Sequence, residues 1–172
     1  LANSVAAMSN GGYLMKPRLL QKLVDIEGNI VASFEPEVKR QVLSKKTSDT
    51  MLSLMESVVS DGSGRSAQVP GYRIGGKTGT AQKIIDGRYA QGKYIASFIG
   101  VAPIDDPKAV VLITVDEPTG SSYYGGSVAA PVAKSIFEDL FNYLEIPPEY
   151  TDEDLDQESE RVILPDLRNT HI

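Results

Sequence analysis

Apolar positions recur with a helical period in some stretches of this chain and with a strand period in others, and the changes of period mark its elements. Leu1, Val5 and Met8 fall on one face of a helix that Asn10-Gly11-Gly12 ends in a left-handed stop. Residues 19–26 and 30–34 are two β-leaning runs joined by Glu27-Gly28-Asn29, a hairpin connection. Over 44–60, Met51, Leu52, Leu54, Met55, Val58 and Val59 mark the clearest amphipathic helix, with Ser44 or Thr47 as its N-cap and Gly62 to Gly64 as its end. The methionines there read as core packing.

Three strands are predicted next, over 72–85, 94–102 and 109–116. Polar segments at 86–88 and 91–93 separate the first two, and the turn residues 103–107 separate the last two. Such connections are too short for a parallel crossover, so the strands are expected to be antiparallel neighbours. A last helix over 127–144 tolerates Pro131 in its first turn, turns Ile136, Phe137, Leu140, Phe141 and Leu144 to the sheet, and closes at Pro147-Pro148. The expected fold class is α/β in the α+β sense: an antiparallel sheet with the closing helix on one face and the helices of a larger domain on the other.

Composition narrows the function. With 172 residues, 41% of them hydrophobic and 23% charged, the chain has the make-up of an ordinary globular domain. The net charge of −6 resides in residues 148–172, which carry eight acidic side chains against Arg161 and Arg168. The neutral body and acidic tail exclude a nucleic-acid binder by charge. There is no cysteine and one histidine, His171, so disulfides, thiolate or imidazole metal centres and a Ser-His-Asp triad within this chain are excluded. Neither a cofactor nor a metal is expected. No run reaches the roughly 20 apolar residues of a membrane span, and no signal peptide opens the chain. Because the chain starts in a helix already under way, residue 1 is expected to lie inside a larger domain, with targeting information upstream. The division expected is a body over 1–147, a solvated acidic linker over 148–160 and a further apolar segment over 161–172.

Gly75-Gly76-Lys77-Thr78-Gly79-Thr80-Ala81-Gln82 fits two chemistries. With Gly71 it matches the phosphate-loop pattern G-x-x-x-x-G-K-[ST], and Val110 to Glu117 imitates the apolar strand whose terminal acid holds Mg²⁺ in such ATPases. A phosphate loop, however, needs a buried strand before it and a helix starting at Lys-Thr. Here residues 60–70 are loop-like, and Gly79, Thr80, Ile84 and Ile85 favour a strand. The alternative is the K-T-G-T of serine acyl transferases that act on penicillin-like substrates.

The order of segments supports that alternative. From Asn10-Gly11-Gly12 through Val69-Pro70-Gly71-Tyr72, Gly76 to Gln82, Ser97-Phe98-Ile99-Gly100, Ala102-Pro103, Asp116-Glu117-Pro118 and Tyr124-Gly125-Gly126 to Ala129-Ala130-Pro131, the chain resembles the C-terminal part of class B penicillin-binding protein transpeptidase domains. The resemblance covers about residues 1–147. It implies a peptidoglycan D,D-transpeptidase on the extracytoplasmic face of the bacterial cell membrane, held there by an upstream anchor, with stem peptides and β-lactams as partners. It further implies that Lys77 supplies positive charge at the cleft and that Thr78 and Thr80 bind the substrate carboxylate through their hydroxyls. The Thr80 N–H would be an oxyanion donor contributing on the order of 3 kcal/mol. Gly79 would let the peptide approach the strand edge, and Gln82 would line the cleft. Tyr123 and Tyr124 are expected to pack at the start of the last helix. Residues 162–169 resemble the opening of the PASTA repeats that follow some transpeptidases.

The chain departs from the family in lacking S-x-x-K and S-x-N, which carry its nucleophile and base and a second cleft wall. They are expected upstream, so this chain alone is expected neither to acylate with a penicillin nor to be active without the rest of the domain. Strand alternation puts Lys77 and Gly79 on one face and Thr78 and Thr80 on the other, a conflict that an edge strand with the ligand alongside removes. A non-catalytic scaffolding module with the same core is the competing reading. Sheet surface left apolar and uncovered would favour self-association or a complementing chain.

Overall fold

A computed structural model describes residues 1–150 of the chain. The segment expected to resemble a PASTA repeat and all of the acidic linker beyond Tyr150 lie outside the described residues.

Helix α1, Ala2–Ser9, ends where Gly11 and Gly12 take φ of 85° and 96°, the expected left-handed stop. Val5 and Met8 face the core, while Leu1 stays exposed. Strand β1, Tyr13–Met15, pairs antiparallel with β4, Val38–Gln41. Between them β2, Lys22–Val24, and β3, Ile30–Ser33, form a hairpin shorter than the runs predicted for it. The Asp25 carboxylate holds its turn by accepting the amides of Glu27 and Asn29 at 3.0 and 2.8 Å. This hairpin and the residues before it leave Leu19, Leu20, Val24, Ile26, Ile30 and Val31 exposed, so uncovered apolar surface lies here as well as on the main sheet.

Helix α2, Lys45–Ser60, is capped by Ser44, whose hydroxyl accepts the Thr47 amide at 3.1 Å. Its buried stripe is Ser48, Leu52, Met55 and Val59, at helical spacing; Met51 and Leu54 are exposed, so of the two methionines only Met55 is core. The Ser48 hydroxyl donates to the Met8 carbonyl and ties α2 to α1. A 3-10 turn, Arg65–Ala67, then leads to the sheet.

The main sheet is β5, Gly75–Ile85; β6, Arg88–Ala102; and β7, Ala109–Asp116; all antiparallel with β6 in the middle. Tyr72, expected to open the first strand, lies in a preceding turn instead, bridged to Val69. β5 and β6 run on past the polar 91–93 segment to a turn at Asp86-Gly87, both at positive φ (50° and 75°), which suits a two-residue hairpin. The extra length of β6 is taken up by an irregularity opposite Gln82 to Ile84, where the register moves from Gln82↔Tyr94 to Ile84↔Tyr89.

The predicted last helix is two helices: α3, Gly125–Val128, and α4, Ala130–Tyr143, broken at Ala129, with Pro131 at the start of α4 contributing no amide to continue the ladder. Ala130, Ala133, Phe137 and Phe141 form the buried face of α4, while Ile136 and Leu144, expected to face the sheet, are exposed. Strand alternation divides the core. Phe98 and Ala102 of β6 join α4 in one cluster, and Val101 joins Leu52 and Met55 of α2, with Val5 and Met8 of α1, in the other. Both sheet faces are thus partly covered by helices of this chain. Beyond α4, Tyr72 stacks on Phe141 (3.9 Å between centroids) and its hydroxyl donates to the Ile146 carbonyl at 2.8 Å. The Glu149 amide, in the segment expected to open the linker at residue 148, donates to the Gly71 carbonyl at 2.7 Å.

Candidate active-site edge

β5 is an edge strand: among the described residues it pairs on one side only, with Lys77↔Ile99, Thr78↔Phe98, Gly79↔Ser97 and Thr80↔Ala96. The Thr78 carbonyl accepts from the Lys77 ammonium at 2.8 Å and so points to the open side. Backbone polar groups of successive residues turn to opposite edges of a strand, so Thr80, two residues on, presents its own amide and carbonyl to that same open edge. Alternation also holds for the side chains. Lys77 leaves from one face and reaches over the edge, while Thr78 and Thr80 leave from the other. A strand starting before Lys77 and running through Ile85 leaves no helix N-terminus at Lys-Thr, which removes the phosphate-loop reading.

The threonine face is roofed by α3. The Thr80 hydroxyl oxygen accepts the Gly125 amide at 3.1 Å, and the Thr78 and Ser63 hydroxyls share a hydrogen bond at 2.8 Å. Backbone must pass very close to backbone for this. A Cβ on Gly125 would land on the carbonyl oxygens of Ser97 and Gly79, and one on Gly79 would land on the Ser97 hydroxyl. Gly79 therefore serves internal packing, whatever it also allows at the edge. Between roof and strand lies a cavity of about 380 Å³ lined by Ser63, Arg65, Ser66, Thr78, Thr80, Tyr124 and the Gly125-Gly126 backbone among others. Tyr123 stacks on Tyr94 (centroids 4.1 Å apart) and donates to the Tyr124 hydroxyl at 3.2 Å. Tyr123 thus packs as expected, whereas Tyr124 also borders the cavity.

Gln82 follows Thr80 on the same face, but its amide donates to the Ala90 carbonyl at 3.0 Å and braces the hairpin. Lys83, at the register irregularity, reaches Asp116 and Glu117 at 2.8 Å each, and Lys93 adds a longer contact to Glu117 at 3.4 Å. Hydrogen bonds to Asp116 and then Glu117 raise the Lys83 pKa, and the bond from Lys83 lowers that of Glu117. The two acids that imitate a Mg²⁺ site are the counter-ions of this lysine. Among the described residues no cluster of three or more His, Asp or Glu is placed to hold a metal.

Sequence reasoning missed the wall opposite β5. Ser63 and Arg65 sit in a stretch with neither strand nor helix period, and the one signal there is the Gly62-Ser63-Gly64 turn just ahead of the strand.

Comparison with known proteins places this geometry among relatives. Residues 1–138 match the family model described as penicillin binding protein transpeptidase domain. Stage V sporulation protein D of Bacillus subtilis is 45% identical over 146 residues, which are 84% of this chain and 23% of that protein. The probable peptidoglycan D,D-transpeptidase PenA of Neisseria meningitidis is 40% identical over 149 residues, covering 86% of this chain and 24% of its own. Of solved structures, penicillin-binding protein 3 from Mycobacterium tuberculosis in complex with ampicillin superposes with a TM-score of 0.75 at 30% identity, covering 87% of this chain and 35% of that one. The apo transpeptidase domain of penicillin-binding protein 3 from Burkholderia pseudomallei superposes with a TM-score of 0.68 at 35% identity, covering 87% and 43% respectively. The chain spans about a quarter of the length of the curated relatives it matches.

Proposed function

Since the chain belongs to the penicillin-binding protein transpeptidase family, we propose that it forms the C-terminal part of a peptidoglycan D,D-transpeptidase and supplies one wall of its acyl-transfer site. The observation that carries the reading is convergence at a single strand edge. The Lys77 ammonium and the outward backbone of Thr78 and Thr80 meet at the open side of β5, and the two threonine hydroxyls line the cavity beside it.

In this reading an extended stem peptide lies along that edge as a further strand. Its terminal carboxylate rests on the Thr78 and Thr80 hydroxyls, drawn by the charge of Lys77. A serine from another part of the protein attacks the penultimate D-Ala carbonyl. The Thr80 amide is one of two donors to the oxyanion, a contribution on the order of 3 kcal/mol because the donor is fixed before charge develops. Expulsion of terminal D-Ala leaves an acyl-serine, which an amine from a second peptide strand attacks to form the cross-link and restore the serine. A β-lactam enters the same path as a carboxylate-bearing mimic of the peptide end. The reaction places the protein on the extracytoplasmic face of the membrane, attached through an anchor outside these residues. None of the described helices is long and apolar enough to cross a membrane.

The division of labour is open to a direct test. Incubated with a fluorescent penicillin, the 172-residue chain is expected to take no covalent label, because it holds neither S-x-x-K nor S-x-N, while the full-length protein is expected to be labelled on serine. Label on the shorter chain would show that the nucleophile lies within it. A full-length protein that stays unlabelled would refute the transpeptidase reading.

A further inference from the structure

The cavity on the threonine face of β5 is lined by hydroxyls and glycine backbone, and Arg65 is the charged side chain among its described lining residues. Lys77 stands outside the cavity: it leaves from the opposite face and donates to the Thr78 carbonyl at the edge, where its charge draws a carboxylate toward the strand without lining the cavity. None of the ion pairs among the described residues involves Arg65. Arg73, by contrast, is taken up by Glu56 through two hydrogen bonds at 2.7 and 2.8 Å. The base from which Arg65 springs is fixed. Ala67 in the same turn is fully buried, the Gly64 amide donates to the Val58 carbonyl at 2.9 Å, and Ser63 is tied to Thr78.

A cavity with neutral donors, one cation and no lining carboxylate is built for an anion. We propose that Arg65 is a specificity-determining residue of this site, selecting peptides that end in a free carboxylate over those whose end is capped as an amide. The inference rests on the transpeptidase reading and adds to it the source of end-group selectivity. Hydroxyls alone discriminate poorly, because they hydrogen-bond an amide carbonyl and a carboxylate oxygen alike. A guanidinium gains more from the charged end than from a neutral amide carbonyl, and because Arg65 is exposed that gain should shrink as salt is added.

The test is an NMR titration of the full-length protein with N-acetyl-D-alanyl-D-alanine and with its C-terminal amide, following the Thr78, Thr80 and Gly125 amide signals. The protein is expected to bind the carboxylate roughly fivefold more tightly than the amide, the scale of one exposed charge pair. Arg65→Gln should reduce that preference to what the Lys77 charge alone gives, with amide affinity little changed, and Arg65→Lys should largely keep it. Arg65→Gln that keeps the full preference, or that weakens both ligands equally, overturns the assignment. Absence of any shift at Thr78 and Thr80 with either peptide contradicts the transpeptidase reading itself, and the assignment falls with it.

Discussion

The Gly125 amide donates to the Thr80 hydroxyl oxygen at 3.1 Å, joining segments 45 positions apart and setting which way that hydroxyl can act. An oxygen that accepts from the roof must direct its own proton elsewhere, and Thr80 lines the cavity beneath that roof. Thr80→Val keeps the shape and removes the acceptor, leaving the Gly125 amide unpaired. Urea denaturation of the 172-residue chain should show a loss of about 1 to 2 kcal/mol, most of it recovered by Thr80→Ser.

The same contact makes position 125 intolerant of a side chain. Gly125→Ala would drive a methyl into the Ser97 and Gly79 carbonyls, which belong to paired strands and cannot swing aside. A cost of about 1 to 3 kcal/mol is expected, read as a lowered melting temperature, with the Gly79 and Ser97 amide signals displaced.

Phe98 is fully buried between β5 and α4, and its ring fills the space above Gly76 and Gly100. Phe98→Ala should cost about 3 to 5 kcal/mol, a large share of the stability of an ordinary domain. Circular dichroism in denaturant would measure it.

The Lys83 cluster predicts a pH dependence whose sign follows from both partners. Glu117 is held below its ordinary value of 4.5, so its contribution is present above that value and fades as pH falls through the lowered one. Lys83 is raised above 10.5, so its contribution is complete below that value and fades only as pH climbs through the raised one. Melting temperatures recorded from pH 7 down to 3 should fall more steeply for the native chain than for Lys83→Met, and the two curves should converge at the acid end. Parallel curves would show that the pairs contribute nothing to stability.

How far the sequence carried the structure depended on where the contacts lie along the chain. The cores of β5, β6 and β7 were legible because strand-period runs and short turns fix antiparallel neighbours locally. The β1–β4 pair was not, because three-residue strands separated by an intervening hairpin leave almost no periodic signal. The polar residues 91–93 read as a loop, yet they lie inside β6, since an exposed hairpin arm needs no apolar alternation. The break at Ala129 was hidden by helix-forming residues on both sides. At the site, Lys77, Thr78, Gly79 and Thr80 were readable from their own motif. Ser63, Arg65 and Gly125 become visible only once the turn after α2 and the start of α3 fold onto the threonine face.

The central claim is that the open edge of β5 acts in acyl transfer, and the rate of serine acylation by a penicillin in the full-length protein measures it most directly. Lys77→Ala should lower the second-order rate constant by about a hundredfold or more, the scale expected when a fixed electrostatic group is removed from such a site, with the melting temperature little changed because Lys77 is exposed. A folded Lys77→Ala protein acylated at the unaltered rate would contradict the account.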